Sequence, residues 1–359
     1  MKILFVTSEF GSNGGGLSLS SERVFNYLSE RYSVQIVNPK NPQVLVADGG
    51  YNQELASAIR HENDLKIDAY QYKDKDIDYV IAFGGGFNGY YASILSQRIN
   101  SSFILCLRGT DVNLAKWSPI ETFYLKESAI HSHKVVCLSR EMIENLRLID
   151  KSLCIKCVLI PNSIVGGGDV TFMEKQNSTI VIGTASTHLN EKKGVANLLS
   201  LVKLAKESGI DINLELVGEI DADLYESYVK ILNNFEISDH ITFHGRISRP
   251  ELSLLMRDWD LYVQASVCEG HPNSVIESLE NGISFISTRT GYIFEKLHCD
   301  FPEYFFDDNT PASMLKGVLA LLNDKKLALR SEQLRDKLLK SSDSNTCLLY
   351  TSPSPRDRG

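Results

Sequence analysis

The stretch DLYVQASVCEGHPNSVIESLENG, from Asp260 to Gly282, changes character near its midpoint. Its first part, LYVQAS, is a short apolar run typical of a buried β-strand, and its last part, SVIESLENG, has the spacing of a helix that ends at Gly282. Gly270 and Pro272 lie between them and indicate a turn. The stretch therefore predicts a strand-to-helix corner, with Glu269 at the carboxyl end of a strand and Glu277 one turn into a helix.

The same alternation extends over the whole chain. The strands predicted in the first half are KILFVT, VQIVN, QVLVA, DYVIAF, FILCLR and KVVCLS, and those in the second half are TIVIGTA, NLELVG, ITFHG, LYVQAS and SFIST. Several of them are continuous apolar runs, as expected of parallel strands that are buried on both faces. Strands that alternate with helical segments predict an α/β protein with doubly wound sheets.

A chain of 359 residues is long enough for two such domains. The glycine-rich, polar segment PNSIVGGGDVTFMEKQNS indicates a linker. We predict a Rossmann-like domain over residues 1–165, a linker over 166–178 and a second Rossmann-like domain over 179–342, with a ligand cleft between the domains. Residues 343–359 have no helical period, and we expect a disordered or non-native tail.

Composition and charge favour a cytoplasmic protein. The formal net charge of −8 disfavours nucleic acid as the main partner. No apolar run approaches the length of a membrane span, and the opening MKILFVTSEF lacks the features of a signal peptide. The seven cysteines are scattered, which suits a reducing compartment.

Two glycine-rich loops follow predicted strands in the first half. In SEFGSNGGGLSLSS, Gly15 and Gly16 precede a helix, where backbone N–H groups bind anions readily. The spacing does not match a dinucleotide fingerprint, and a plain flexible loop is the alternative. The second loop, FGGGFNGYY, contains Gly85.

Charged residues follow the next predicted strand in LRGTDVN, which contains Arg108 and Asp111. An arginine at this position is suited to binding a carboxylate or phosphate. An ion pair between Arg108 and Asp111 fits the sequence equally well. In the second half, Lys192 and Lys193 precede Gly194 at the start of a helix, where a lysine can bind phosphate. A solvated charge pair is the alternative there.

The second half resembles the donor-sugar domain of the retaining glycosyltransferases of family 4, which have the GT-B fold and are also called glycosyl transferases group 1. The matching pieces are KKGVANLL, LELVGE, ITFHGRIS, LYVQASVCEGHPNSVIESLENG and FISTRTGYIFE. The first half is similar more loosely, through its glycine-rich opening, RGTD, VVCLSREMIENL and IPNS.

The resemblance implies a nucleotide-diphosphate sugar as the donor and assigns roles to residues. Glu269 would contact the transferred sugar, Lys193 would neutralise the leaving diphosphate, and Glu277 would bind the ribose. The other expected donor-binding residues are Gly15, Gly16, His188, Lys192, Gly270, His271, Pro272, Asn273, Ser274 and Gly291. On the acceptor side we expect Gly85, Arg108 and Asp111.

The chain departs from the family pattern at several positions. The arginine that usually precedes the phosphate-binding lysine is absent from STHLNEKKG, where His188 or Lys192 would take its place. Arg108 stands where many members have histidine, and the long C-terminal helix that in the family normally crosses back to the first domain is not evident.

The resemblance thus implies a hexosyltransferase-like enzyme that transfers a sugar, with retention, to a hydroxyl of a glycan or lipid-linked glycan of the cell-surface polysaccharide type. We expect no bound cofactor and no metal site. The segment AKWSPIETFYLKESAI either contacts the inner face of the cytoplasmic membrane through its apolar side chains or packs as an ordinary helix. Two alternatives remain open: a sugar-nucleotide epimerase or phosphorylase with the same fold, and a non-catalytic binder of nucleotide sugars.

Overall fold

A computed structural model of the chain describes residues 1–10, 16–39, 69–73, 75–162, 170–172 and 179–341. The chain divides into two compact units, and the boundary between them follows Asn162. Each unit contains one parallel sheet with helices between its strands. The predicted α/β class with two Rossmann-like units is therefore confirmed.

The first unit contains a six-stranded sheet in the order β2-β1-β3-β4-β5-β6, in which every pairing is parallel. The strands are β1 Lys2–Val6, β2 Ser33–Val37, β3 Tyr79–Phe83, β4 Ser102–Cys106, β5 Lys134–Cys137 and β6 Cys157–Leu159. The described helices are α1 Gly16–Ser29, α2 Phe87–Ile99, α3 Thr110–Ala115, α4 Pro119–His131 and α5 Arg140–Ile149.

Alternate residues of these strands enter two different cores. In β1, Leu4 and Val6 pack in one apolar cluster, whereas Ile3 and Phe5 pack in another. Successive side chains of a strand point to opposite faces, so both faces of the sheet are covered. This double burial explains why the strand sequences are continuous apolar runs.

The second unit contains a five-stranded parallel sheet in the order β11-β10-β7-β8-β9. The strands are β7 Ile180–His188, β8 Ile212–Glu219, β9 Ile241–Gly245, β10 Leu261–Gln264 and β11 Phe285–Ser287. The helices are α6 Val195–Glu207, α7 Ala222–Phe235, α8 Arg249–Met256, α9 Asn273–Glu280, α10 Gly291–Leu297, α11 Pro311–Leu322 and α12 Leu327–Ser341.

A buried tryptophan fixes the centre of the second sheet. Trp259 is fully buried and lies against Gly183 of β7, where a β-carbon would come within 2.1 Å of the indole ring. The indole N–H donates a hydrogen bond of 2.7 Å to Glu215 of β8. Only glycine at position 183 leaves room for the ring, because any other residue would place its β-carbon inside the space that the tightly packed indole occupies.

The last described helix, α12, belongs to the second unit. Its Leu334 and Leu338 are buried in the core of that unit. Ser331 on the same helix lies 2.6 Å from the hydroxyl of Ser284 and 2.8 Å from that of Tyr304.

The predicted strands agree with the structure wherever it describes them. The predicted strand QVLVA, residues 43–47, lies outside the described residues, as do the tail 343–359 and most of the linker 166–178. Phe172, which falls within the predicted linker, is buried in the second core. Strand β6 was not predicted. No helix in the part of the chain described here is long and apolar enough to cross a membrane.

Candidate active site

The predicted strand-to-helix corner lies at the carboxyl end of β10. The strand ends at Gln264, and α9 begins at Asn273 after Pro272. The corner places the Glu269 carboxylate 2.7 Å from the Nζ atom of Lys193. The exposed fraction is 11% for the Glu269 side chain and 23% for that of Lys193. The two residues that were predicted to be catalytic therefore form a largely buried ion pair.

The loop that carries Lys193 is fixed to the end of β10. Lys193 ends a short 3-10 turn, and Gly194 follows with a φ of +68°. A β-carbon on Gly194 would lie 2.2 Å from the carbonyl oxygen of Ala265. The backbone N–H of Val267 donates a hydrogen bond of 2.9 Å to the carbonyl oxygen of Lys192. Glycine is required here both for its backbone angle and for its close approach.

Burial and pairing act in opposite directions on the two charges. Burial by itself lowers the pKa of Lys193, but the neighbouring carboxylate and its hydrogen bond prevail and raise it above 10.5. Burial by itself raises the pKa of Glu269, but Lys193, aided by Lys192, lowers it below 4.5. Both groups are therefore charged near neutral pH.

The segment after β11 packs against the backbone of the corner. Gly291 has a φ of +71°, and a β-carbon there would lie 2.9 Å from the carbonyl oxygens of Glu269 and Gly270. The N–H of Tyr292 donates to Gly270, and the N–H of Glu269 donates to the Thr290 hydroxyl at 3.0 Å. Thr290 and Tyr292 flank Gly291 in the matching segment RTGYIFE, but the sequence assigned them no role of their own.

The remaining predicted residues of the corner line its turn and the start of α9. His271 is buried and stacks on Tyr292, with 5.1 Å between ring centroids. Ser274 accepts a hydrogen bond of 2.7 Å from the Tyr262 hydroxyl. Glu277 is half-buried on α9. The structure thus brings the corner, Gly291 and Lys193 together at one edge of the second sheet.

His188 occupies a different part of the same edge. It ends β7 opposite Glu219 of β8, with its Nδ1 atom 3.5 Å from the carboxylate. Arg246, which follows β9, lies 3.3 Å from the same carboxylate. Both side chains are exposed. Arg246 is a basic residue that sequence reasoning did not select, although it stands within ITFHGRIS.

In the first unit, Asp111 holds the backbone of two loops. Its carboxylate accepts hydrogen bonds from the N–H groups of Gly85 at 2.7 Å, Arg108 at 3.0 Å, Gly109 at 2.9 Å and Val112 at 2.9 Å. Among the described residues, no ion pair joins Asp111 to the Arg108 guanidinium. The suggested ion pair between these side chains is therefore wrong, because backbone donors occupy the carboxylate.

The Arg108 guanidinium is held by other groups. It lies over the ring of Phe83, 3.9 Å from the centroid, and its Nη1 atom donates to the Asn162 side chain at 2.7 Å. Gly85 lines the same cavity as Arg108, and a β-carbon at position 85 would meet Leu107 at 2.4 Å. Of the first glycine-rich loop, Gly16 begins α1, and Gly15 lies outside the described residues.

Comparison with known proteins bears on both units. Residues 172–336 match the family model described as glycosyl transferases group 1. An uncharacterized glycosyltransferase of Methanocaldococcus jannaschii is 25% identical over 269 residues, which cover 74% of this chain and 71% of the relative. The chain is accordingly a glycosyltransferase.

Two solved structures show the fold of this glycosyltransferase. Anabaena HepE, crystallised in complex with UDP-glucose, has a TM-score of 0.73 at 13% identity, and the match covers 98% of each chain. The lipopolysaccharide outer core galactosyltransferase WaaB has a TM-score of 0.65 at 14% identity, with 98% of this chain and 100% of that chain covered. These likenesses confirm the predicted GT-B fold class.

The helix predicted as a membrane contact of the glycosyltransferase is partly buried. Trp117 is 87% exposed, but Leu125 is fully buried. Phe123 and Tyr124 lie 5.4 Å and 5.1 Å from the ring of Tyr90 on α2. These contacts favour the interpretation that α4 packs on the first unit. Within the described ranges, no group of three or more His, Cys, Asp or Glu side chains is placed to hold a metal ion.

Proposed function

We propose that this glycosyltransferase moves a sugar from a nucleotide-diphosphate donor to a hydroxyl of a glycan or lipid-linked glycan of the cell-surface polysaccharide type, in the cytoplasm and with retention of configuration. The observation that carries the proposal is the buried Lys193–Glu269 ion pair at the carboxyl edge of the second sheet. Ligands of open α/β sheets bind at this edge.

The ion pair supplies the charges that this reaction requires. The departing diphosphate gains negative charge as the glycosidic bond breaks, and a fixed cation stabilises that charge. Lys193 is charged and held in place, so its ammonium is ready to bind the phosphate. The Glu269 carboxylate accepts hydrogen bonds from hydroxyls of the transferred sugar while it holds Lys193 in position. The acceptor's proton passes to the leaving phosphate oxygen.

The other residues of the corner take supporting roles in this proposal. The backbone from Gly270 to Asn273 turns beside the carboxylate, where its amides can approach the sugar or the phosphate. Glu277, on α9, accepts two hydrogen bonds from the ribose hydroxyls. Lys192 or His188 takes the place of the arginine of the usual pattern, which this edge lacks. No bound cofactor or metal takes part in this proposal.

The solved relatives support the choice of donor and acceptor. HepE was crystallised with UDP-glucose, and WaaB is a lipopolysaccharide outer core galactosyltransferase. These relatives share the fold but only 13–14% of the sequence. They therefore support the class of donor and acceptor and do not specify the sugar.

The experiment is a calorimetric titration of the full chain with UDP-glucose, UDP-galactose, GDP-mannose and ADP-glucose. We expect one donor to bind and the Glu277→Ala variant to lose at least tenfold in affinity, whereas Glu226→Ala, an exposed acid on α7, keeps it. A folded parent that binds no member of the panel would contradict the proposal. Conversion of the bound donor without any acceptor would identify an epimerase instead, and the anomeric signal of the product would test retention.

A further inference from the structure

The first unit has a cavity of its own at the carboxyl edge of its sheet. The volume of this cavity is about 100 Å³. It lies among the ends of β1, β3 and β4, and the polar side chains that line it are those of Thr7, Ser8, Glu9, Asn88, Arg108 and Thr110. Asp111 also lines it, but its carboxylate is occupied by the four backbone donors described above.

Arg108 is the only cationic side chain that lines this cavity in the described part of the chain. The Phe83 ring covers one face of its guanidinium, and Asn162 accepts one of its hydrogen bonds. No acid among the described residues forms an ion pair with it. Its Nε atom is buried and has no hydrogen-bond partner among those residues. A guanidinium has five N–H donors, so several remain available to a ligand.

The surroundings of Arg108 also set the orientation of what it binds. The contact with the Phe83 ring face and the hydrogen bond to Asn162 hold the guanidinium in place, because cation–π contact favours the ring face. The Asn88 amide, which donates to the Ser8 hydroxyl at 3.0 Å, and the Thr110 hydroxyl lie in the same cavity and suit the hydroxyls of a sugar. Glu9 is exposed at the cavity and can accept a hydrogen bond from a hydroxyl.

A fixed guanidinium that forms no ion pair with any described acid is suited to a planar or tetrahedral anion. Arginine binds carboxylates and phosphates through two parallel hydrogen bonds, which are stronger than those between neutral groups. A neutral sugar would leave the charge of Arg108 uncompensated in a partly buried site.

We propose that the acceptor of this glycosyltransferase carries an acidic group, a carboxylate or a phosphate ester, and that Arg108 binds this group through two hydrogen bonds. The inference rests on the proposed function, because it names the substrate class that the first unit selects. The cavity itself lies entirely within that unit.

The test is a ligand-observed NMR titration of the full chain with three small probes. Methyl glucuronide carries a carboxylate, glucose 1-phosphate carries a phosphate ester, and methyl glucoside is neutral. We expect at least one acidic probe to bind at least tenfold more tightly than methyl glucoside. The probe that binds more tightly distinguishes a sugar carboxylate from a phosphate.

Variants assign the preference to one side chain. Arg108→Gln should abolish the preference, and Arg108→Lys should restore part of it, because lysine keeps the charge but loses the paired geometry. Arg147→Gln removes an exposed arginine on α5 of the same unit and should leave the preference for acidic probes unchanged. Thermal denaturation of each variant reports whether it is folded.

The same samples, titrated with the nucleotide sugars named above, separate this inference from the proposed function. Donor binding without any preference for acidic probes would overturn the acidic acceptor and leave the proposed function standing. Loss of donor affinity in Arg108→Gln, with the acidic probes unaffected, would also overturn it. If the acidic probes bind but no nucleotide sugar binds, the proposed function is wrong, and the acceptor role of Arg108 is wrong with it.

Discussion

The Lys193 ammonium and the Glu269 carboxylate lie 2.7 Å apart, with most of both side chains removed from solvent. Moving two charges out of water costs free energy that their attraction only partly repays, so such a pair adds little stability compared with apolar side chains. Removing one partner is costly, because the other charge is left buried and unpaired. A charged pair at this place is therefore better explained by ligand binding than by stability.

Single and double variants of the pair test this explanation. We expect Lys193→Met or Glu269→Met alone to lower the free energy of unfolding by about 3–5 kcal/mol. The double variant should lose much less than the sum, because no unpaired charge remains. Urea denaturation measures all four proteins. If the two losses simply add, the side chains are not energetically coupled, and the explanation fails.

The same pair makes stability depend on pH in a defined direction. The folded-state pKa of Glu269 lies below its ordinary value of 4.5, so the pairing stabilises the protein above that pH and is lost as the pH falls through the lower folded-state value. The folded-state pKa of Lys193 lies above its ordinary value of 10.5. Its contribution to stability is therefore complete below pH 10.5 and is lost as the pH rises through the folded-state value.

We therefore expect the difference in unfolding free energy between the parent and Glu269→Gln to be constant near neutral pH and to shrink below about pH 4.5. Urea denaturation of both proteins across the acid range measures this difference. A difference that stays constant down to the acid unfolding of the parent would show that Glu269 does not titrate with a lowered pKa.

At the scale of elements, the position of Lys193 depends on how closely its loop approaches β10. Gly194 and Gly209 have nearly equal φ angles, +68° and +73°, but a β-carbon at position 194 would meet the Ala265 carbonyl, whereas nothing lies within 4 Å of one at position 209. Alanine in this backbone region costs about 1–2 kcal/mol for its conformation alone.

We expect Gly209→Ala to lose about that amount of stability and to keep its affinity for the donor. Gly194→Ala should lose clearly more and should also weaken donor binding, because the loop must move away from β10 and take Lys193 with it. Urea denaturation and donor calorimetry on the two variants measure both effects. Equal losses in both variants would show that the close approach is not required.

Local patterns explain why the corner could be predicted and its surroundings could not. The β10–α9 corner is encoded by adjacent residues: an apolar strand, Gly270, Pro272 and a helical period. The contacts of Thr290 and Tyr292 with that corner join residues about twenty positions apart, and no spacing rule indicates such contacts. Strand β6 was missed because it is only three residues long and its residues are only half-buried.

At the scale of the whole molecule, each apolar core lies within one unit. The clusters of the first sheet contain only residues before Asn162, and the cluster of the second sheet contains only residues from Val170 onward. The sequence indicated this division through its two series of strands. It did not indicate that Asp111 binds backbone amides, because a carboxylate near an arginine fits an ion pair equally well until the loops are placed.

Because the predicted donor residues of the corner and Lys193 all lie in the second unit, that unit should bind the donor by itself. We expect residues 163–343, expressed alone, to unfold in one cooperative transition, as a domain with its own core does. Their affinity for the donor should lie within about tenfold of that of the full chain, a difference of about 1.4 kcal/mol. Without the first unit, however, no sugar should be transferred.

Calorimetry and a transfer assay on the fragment measure these properties. A folded fragment that binds no donor would show that the first unit supplies donor contacts, and Gly16 and Arg108 would then be the first residues to test for that role.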